Sequence, residues 1–197
     1  MHVTHALDCR YTCRAYRPDP VTRATVEAIL TAAARAPSGG NLQPWRVWVV
    51  AGAARQRLID AVKARIADGD LTDGEPEYFI YPPDLPEPWA SRKFSTAEGY
   101  YEALGVARDD YPARLHEYVR NFEFFGAPVG LIFAIDRRMQ PGQWADLGMF
   151  LQSIMLTARD YGLDTAALES WSLWHATVRE TLQIPPELMI FCGMALG

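Results

Sequence analysis

The chain lacks several features that mark common classes of protein. No apolar run approaches the roughly 20 residues that a membrane-spanning helix needs, so we expect no membrane partner. With 19 Lys and Arg against 24 Asp and Glu, the 197 residues carry a net charge of −5 at pH 7. Without a basic surplus to neutralise phosphates, nucleic acid is not expected as a partner. The four histidines and three cysteines form no metal-ligand spacing, so no metal site is predicted.

Further absences narrow the class of enzyme and the compartment. No G-x-G-x-x-G or P-loop pattern is present to bind a dinucleotide in the usual way. A hydrolase built on Ser38 is disfavoured, because Ser38 lacks the G-x-S-x-G elbow and no His/Asp pair is placed by the sequence. The first residues lack the charged and apolar regions of a signal peptide, and the few cysteines fit a reducing compartment. We therefore expect a cytoplasmic protein.

The composition suits one globular domain with an irregular insertion. Apolar residues make up 49% and charged residues 22%, which is typical of soluble proteins. We predict a single domain over residues 1–197 with a loop-rich insertion at about 68–96, where acidic residues, Pro and Gly interrupt regular structure. Its aromatic residues, including Tyr78, Phe79 and Tyr81, favour a loop that covers a ligand or a partner, the alternative being ordinary packing.

Hydrophobic periodicity predicts the order of helices and strands. A helix ends near Ala33, a buried strand spans 47–50, and a strand at 129–135 is expected to be buried on both faces. Further helices are predicted at 53–68, 97–105, 109–122, 141–161 and 174–183, with a short strand near 165 and a last strand at 188–192. Residues 141–161 are apolar around most of the helix, so this element is expected to be buried or to form an interface. Because helices and strands do not alternate strictly, the order favours an α+β fold over a doubly wound one.

The loop between the helix ending near Ala33 and the following strand carries polar groups suited to a ligand. Gly39-Gly40 lets the main chain turn tightly and lets a ligand approach it. The side chains of Ser38, Asn41 and Gln43 both donate and accept hydrogen bonds, as a planar heterocycle with alternating donors and acceptors requires. The alternative is an ordinary loop in which Pro and Gly are only breakers.

Residues 9–18 concentrate positive charge in an acidic chain. Arg10, Arg14 and Arg17 lie beside the hydroxyl groups of Tyr11 and Thr12. Arginine matches phosphate oxygens in a bidentate way and a hydroxyl adds a further donor, so this segment is a candidate phosphate site. The alternative is a solvated basic patch.

These two segments together resemble the nitroreductase family. Residues 10–16, Arg-Tyr-Thr-x-Arg-x-Tyr, are similar to that family's Arg-x-Ser-x-Arg-x-Phe/Tyr opening. After one helix, residues 37–45 are similar to its Pro-Ser-x-x-Asn-x-Gln-Pro-Trp segment. The runs at 125–129, 144–152 and 162–165 resemble the branch typified by nitrobenzoate reductases, so the resemblance covers nearly the whole chain.

The resemblance implies a fold and a cofactor. It implies a central mixed β-sheet flanked by helices, and a homodimer around the long helix with FMN at the interface. Arg10 and Arg14 would hold the phosphate, with Tyr11 and Thr12 assisting. Pro37, Ser38, Asn41 and Gln43 would address ribityl or ring atoms. Leu168 would pack on the ring, with backbone N–H groups near Glu169 and Ser170 addressing the reactive nitrogen. No catalytic side chain is implied. This chain differs from the family at two of these positions: family members often have Pro where this chain has Ala167, and Gly or Ala where it has Ser170.

The implied activity is hydride transfer from NAD(P)H through FMN to a nitroaromatic, a quinone or a similar conjugated acceptor, in a ping-pong cycle. Two alternatives share every motif: a flavin-binding or sensing protein without turnover, and an oxygen-using flavin enzyme that dehalogenates or destroys its ligand. The family continues past an Ala-Leu-Gly with a tail that carries a basic residue for the phosphate. Either the sequence is cut short at Gly197 or the phosphate depends on Arg10 and Arg14 alone. Which subunit supplies each loop stays open.

Overall fold

A computed structural model describes residues 2–197, in which helices cover both faces of a four-stranded sheet with strand order β1-β2-β4-β3. The predicted α+β class is confirmed. The elements are α1 Val3–Cys9, α2 Arg23–Ala33, β1 Arg46–Ala51, α3 Gly52–Ala67, α4 Trp89–Ala103, α5 Tyr111–Val119, β2 Val129–Asp136, α6 Pro141–Asp160, β3 Thr165–Leu168, α7 His175–Leu182 and β4 Leu188–Leu196. Short 3₁₀ segments span Gly39–Asn41, Arg120–Gly126 and Glu169–Trp174.

Strand β2 lies in the middle of the sheet and divides the core into two halves. Its side chains alternate, so that Leu131 and Phe133 pack with α2 and α6 on one face. Ile132 and Ala134 pack with α3, α7 and the 3₁₀ segments on the other face. Every residue from Val129 to Ile135 is buried, as the sequence predicts for this strand.

Two glycines in the central strands make room for aromatic rings. A β-carbon on Gly130 would lie 2.4 Å from the ring of Phe124, and one on Gly193 would lie 2.3 Å from Trp171. The two rings stack with centroids 4.6 Å apart. The strands and the Trp171 segment therefore pack more closely than any other residue type would allow.

The sheet differs from the predicted mixed sheet, because each strand runs antiparallel to its neighbours. The parallel pairing within residues 2–197 is one isolated bridge between Thr12 and Thr165. The N-terminal segment meets β3 through a single residue pair, so it adds one parallel contact and no fifth strand. The strand predicted at 47–50 is present, but its predicted burial holds for Val50 alone, since β1 is an edge strand and Val49 is 45% exposed.

Helix α4 begins at Trp89, so the irregular segment after α3 ends at Pro88 and the predicted helix at 97–105 starts too late. Neither α4 nor α5 contains a buried residue. Apolar side chains such as Trp89 and Phe94 are 54% and 52% exposed. The helix therefore lacks the one-sided apolar stripe from which periodicity recognises a helix.

Strand β4 contains a β-bulge at Phe191. Phe133 pairs with Cys192, whereas Ala134 pairs with Ile190, which leaves Phe191 without an opposite residue. The Tyr78 hydroxyl donates a hydrogen bond to the Phe191 carbonyl, and the two rings stack with centroids 5.6 Å apart. The bulge thereby fixes part of the irregular segment to the sheet.

Candidate functional site

Two adjoining cavities lie beside strands β3 and β4 and helices α4 and α5. The first, here the strand cavity, has a volume of about 610 Å³. The second, here the helix cavity, has a volume of about 750 Å³. Both are lined by Tyr81, Tyr118 and Asn121, so the two spaces are neighbours. The strand cavity is further lined by Ile80, Leu151, Ala167, Leu168, Glu169, Ser170, Leu173, Phe191 and Cys192.

Three predicted site residues stand at the end of β3 and line the strand cavity. The strand ends at Leu168, and a 3₁₀ turn begins at Glu169, whose carbonyl accepts a hydrogen bond of 2.8 Å from the Ser172 hydroxyl. The Ser170 hydroxyl is buried and has no hydrogen-bond partner within residues 2–197. Burial raises the pKa of the Glu169 carboxyl. The lining therefore includes a residue whose hydroxyl is an unsatisfied polar atom, buried behind the cavity surface.

The N-terminal motif runs beside the start of β3. The Cys13 N–H donates to the Thr165 carbonyl over 3.1 Å, next to the bridge between Thr12 and Thr165. The Tyr11 hydroxyl donates to the Asp164 carboxylate over 3.3 Å. Arg14 lines the helix cavity, with its guanidinium 4.9 Å from the ring centroid of Tyr100. The fold thus brings Arg14 to the same pair of cavities as Leu168, Glu169 and Ser170.

The remaining predicted residues lie outside these cavities. Arg10 is partly buried at the end of α1, and Arg10, Tyr11 and Thr12 line neither space. No residue of 37–43 lines them either. Within one chain, the loop that contains Ser38 is therefore separate from the cavities.

The loop at 38–43 is held in a tight conformation of its own. Gly40, Asn41 and Gln43 have φ values of 57°, 56° and 47°, a region that few residues adopt. The Gln43 N–H donates to the Ser38 hydroxyl oxygen over 3.0 Å, and the Gln43 amide donates to the Asn41 side-chain oxygen over 3.0 Å. The Ser38 hydroxyl proton and the Asn41 amide protons stay free to donate to a ligand.

Asp146 on α6 anchors this loop, a role that the sequence reasoning missed. Its carboxylate accepts a hydrogen bond of 3.1 Å from the Gly39 N–H. Asp146 is only 6% exposed. An acidic residue among the apolar positions of a long helix is the sequence signal that could have found it, since a buried carboxylate needs a donor.

The segment at 73–78 is fixed to the body of the protein by acidic side chains. Asp73 accepts hydrogen bonds of 2.8 Å from the Thr177 N–H and from its hydroxyl, at the start of α7. Glu77, whose side chain is 7% exposed, pairs with Arg179 at 2.7 Å and also with Arg137. Burial opposes ionisation of Glu77, but these arginines and the Ile190 N–H lower its pKa overall. The anchored segment leads directly to Ile80 and Tyr81 in the cavities.

Residues 2–197 contain neither a candidate membrane-spanning helix nor a candidate metal site. No helix in this range is both long and apolar enough to cross a membrane. No group of three or more His, Cys, Asp or Glu side chains within it is arranged to hold a metal ion.

The structure is an α+β fold with tyrosine-lined cavities beside strands β3 and β4 and helices α4 and α5. Comparison with known proteins is more specific. The sequence profile of the Nitroreductase family matches residues 7–197. The nitrobenzene nitroreductase of Ectopseudomonas oleovorans is 43% identical over 93% of this chain and 81% of its own length. The 4-nitrobenzoate reductase of Nocardioides sp. (strain LMS-CY) is 39% identical over 95% of this chain and 76% of its own length.

A solved structure gives the same result. The FMN and NADPH-dependent nitroreductase NfnB from Sphigopyxis sp. strain HMH superposes with a TM-score of 0.96 at 45% identity, covering 100% of this chain and 88% of that one. The chain therefore belongs to the nitroreductase family, and the predicted family and nitroreductase-like fold are confirmed.

Proposed function

We propose that this chain is an FMN-dependent oxidoreductase that passes a hydride from NAD(P)H to a nitroaromatic acceptor. The observation that carries the proposal is the meeting of Arg14 with Leu168, Glu169 and Ser170 around two neighbouring cavities. The sequence prediction of FMN with a nicotinamide donor is confirmed by the relatives, among them the FMN and NADPH-dependent NfnB. The acceptor class follows from relatives named for nitrobenzene and 4-nitrobenzoate.

The residues around the strand cavity fit the cofactor. FMN, when bound, supplies the hydride chemistry, and the chain supplies binding and orientation. Leu168 offers an apolar surface for the ring, and the backbone N–H groups of Glu169 and Ser170 would donate to its reactive edge. The Ser170 hydroxyl is buried and unpartnered beside this largely apolar wall, and it would have to rotate toward the ring to donate to it. Arg10 and Arg14, with Tyr11 and Thr12, would meet the phosphate.

A ping-pong cycle is part of the proposal. The two cavities adjoin at Tyr81, Tyr118 and Asn121, and donor and acceptor would approach the same ring face from this shared side. They would then have to bind in turn. A quinone is flat and conjugated like a nitroarene and would use the same tyrosine-lined surface.

A second subunit is the proposed source of the loop at 37–43. This loop lies away from the cavities in a single chain and is held to α6 by Asp146. A homodimer packed around α6 would let Pro37, Ser38, Asn41 and Gln43 reach the cofactor of its partner. We propose a cytoplasmic location for this dimer, since Cys9, Cys13 and Cys192 are unpaired thiols.

Anaerobic spectroscopy tests the activity. The protein loaded with FMN should lose its visible flavin absorption on addition of NADPH or NADH and regain it with nitrobenzene. Absorption that neither donor bleaches would mean a binding protein without turnover. Consumption of oxygen with a dehalogenated or degraded product under air would mean the oxygen-using alternative.

Mixed dimers test the subunit arrangement. Arg14→Ala and Asn41→Ala should each impair FMN binding in the homodimer. If the two groups at one site come from different subunits, a mixed dimer of these variants contains one intact site and regains FMN at about half occupancy. If both groups come from one subunit, every site in the mixed dimer carries a defect and nothing is regained.

A further inference from the structure

Arg14 is held at two points, although the residue as a whole is exposed. The Arg120 guanidinium donates a hydrogen bond of 3.0 Å to the Arg14 carbonyl. The Arg14 guanidinium lies 4.9 Å from the ring centroid of Tyr100, which is within the range of a cation–π contact. The first contact fixes the main chain of the N-terminal motif at this residue. The second limits the directions in which its guanidinium can point.

Both of these contacts lead to one carboxylate, that of Glu117. Its Oε2 atom accepts a hydrogen bond of 2.8 Å from Arg120 and another of 3.2 Å from the Tyr100 hydroxyl. The Glu117 side chain is 15% exposed and lines the helix cavity. Glu117 lies on α5 and Tyr100 on α4, and neither helix contains a buried residue. Because a charged acceptor forms stronger hydrogen bonds than a neutral one, this carboxylate is well suited to fix both partners.

We propose that Glu117 is a positioning residue for cofactor binding, which holds Arg120 and Tyr100 in the places where they fix Arg14. This inference rests on the proposed function, which assigns Arg14 to the phosphate of FMN. An arginine side chain has many rotamers, and ordering it costs conformational entropy. A guanidinium that is already ordered before the cofactor arrives loses less of this entropy on binding. Glu117 therefore contributes to FMN affinity without touching FMN.

The charge of Glu117 acting alone would have the opposite effect. A carboxylate in the lining of the helix cavity repels an anionic phosphate, so removal of its charge would strengthen FMN binding. Positioning instead requires that loss of the carboxylate weakens FMN binding. Two substitutions separate these effects. Glu117→Gln removes the charge and keeps an oxygen that can accept both hydrogen bonds, whereas Glu117→Ala removes the charge and the acceptor together.

The measured quantity is the dissociation constant of FMN, obtained by equilibrium dialysis of the full chain. Glu117→Ala should raise it about 5-fold, the scale of ordering one long side chain. Glu117→Gln should bind FMN at least as tightly as the wild-type protein. Glu98→Ala is the matched control, because Glu98 on α4 pairs with Arg114 on α5 at 2.6 Å and does not line the helix cavity. It removes a carboxylate that joins the same two helices and should leave FMN affinity unchanged.

A double-mutant cycle tests whether Glu117 acts through Arg14. Arg14→Ala removes the group that is to be positioned, so adding Glu117→Ala to this variant should cause no further loss of FMN affinity. If the two losses multiply, Glu117 acts independently of Arg14 and the inference is overturned. It is also overturned if Glu117→Ala binds FMN as tightly as the wild-type protein. A loss in Glu98→Ala as large as that in Glu117→Ala overturns it as well, since the effect would then belong to the helices in general.

These outcomes are independent of turnover. FMN affinity is measured on the oxidised protein without a nicotinamide donor. If neither NADPH nor NADH bleaches the FMN-loaded wild-type protein, the proposed activity fails, and the double-mutant cycle still decides the role of Glu117.

Discussion

Replacing Asp146 should loosen the loop at 38–43 without disturbing the core around it. Asp146→Ala removes the acceptor for the Gly39 N–H, which now donates over 3.1 Å to a carboxylate that is 6% exposed. A hydrogen bond to a charged group contributes about 1.5–3 kcal/mol, and the exposed Gly39 allows water to replace part of it. We expect the free energy of unfolding to fall by about 1.5 kcal/mol in the alanine variant and about 0.5 kcal/mol in Asp146→Asn, which keeps a carbonyl acceptor.

Urea unfolding measures this change as a shift of the midpoint at constant slope. The control is Asp109→Ala, an exposed carboxylate whose side chain has no partner within residues 2–197. Asp146→Ala should also weaken FMN binding by about 10-fold, because a loop with three left-handed residues would no longer be pre-organised. An alanine variant that unfolds at the control's midpoint would refute the anchoring role. A loss of stability with unchanged FMN affinity would remove the loop from the cofactor site.

Three further changes test other parts of the structure. Gly193→Ala places a β-carbon 2.3 Å from Trp171 and should cost about 2–3 kcal/mol in a thermal melt, whereas Gly148→Ala meets nothing within 4 Å and should be neutral or slightly stabilising. Glu77 has a lowered pKa, so its contribution to stability is present above the ordinary value of 4.5 and is lost as the pH falls below it. Glu77→Gln should therefore lower the free energy of unfolding at pH 7 and weaken its dependence on pH below 4.5. An unchanged pH dependence would contradict a stabilising role of the Glu77 ion pairs. Glu169 has a raised pKa, so its ionisation opposes folding above its ordinary value of 4.5. Glu169→Gln should then gain stability relative to wild type as the pH rises to 8, and a relative loss would contradict burial as the cause.

The sequence predicts those elements whose burial follows a simple period. Helix α2 and strand β2 fit this description, because one stripe of α2 and every residue from Val129 to Ile135 are buried in the core. Helix α4 does not, since none of its residues is buried. The bulge at Phe191 depends on pairing with β2 and on Tyr78, more than 100 residues earlier, so no local pattern contains it.

In the candidate site, too, the sequence marks single residues but not the contacts between distant segments. The motif at 10–14 and the segment at 168–170 are recognisable as residues, but their meeting depends on the pairing of Thr12 with Thr165 across about 150 positions. Only the family resemblance supplies that contact in advance. Asp146 acts through one hydrogen bond to a loop 107 residues away, and nothing in its immediate neighbourhood marks that partner. Tyr118 and Asn121 lie on an ordinary amphipathic segment, where their place in the cavity lining has no sequence signature.

The anchoring of residues 73–78 places stability and cavity shape in different parts of one segment. Asp73, Glu77 and Tyr78 tie the segment to α7 and to the sheet, while the residues that follow reach the cavities through exposed chain such as Phe79, which is 69% exposed. Substitutions between Phe79 and Pro88 are therefore expected to change the shape of the cavities with little effect on the core. If the cavities bind the acceptor as proposed, libraries that aim at new acceptors are best confined to this stretch.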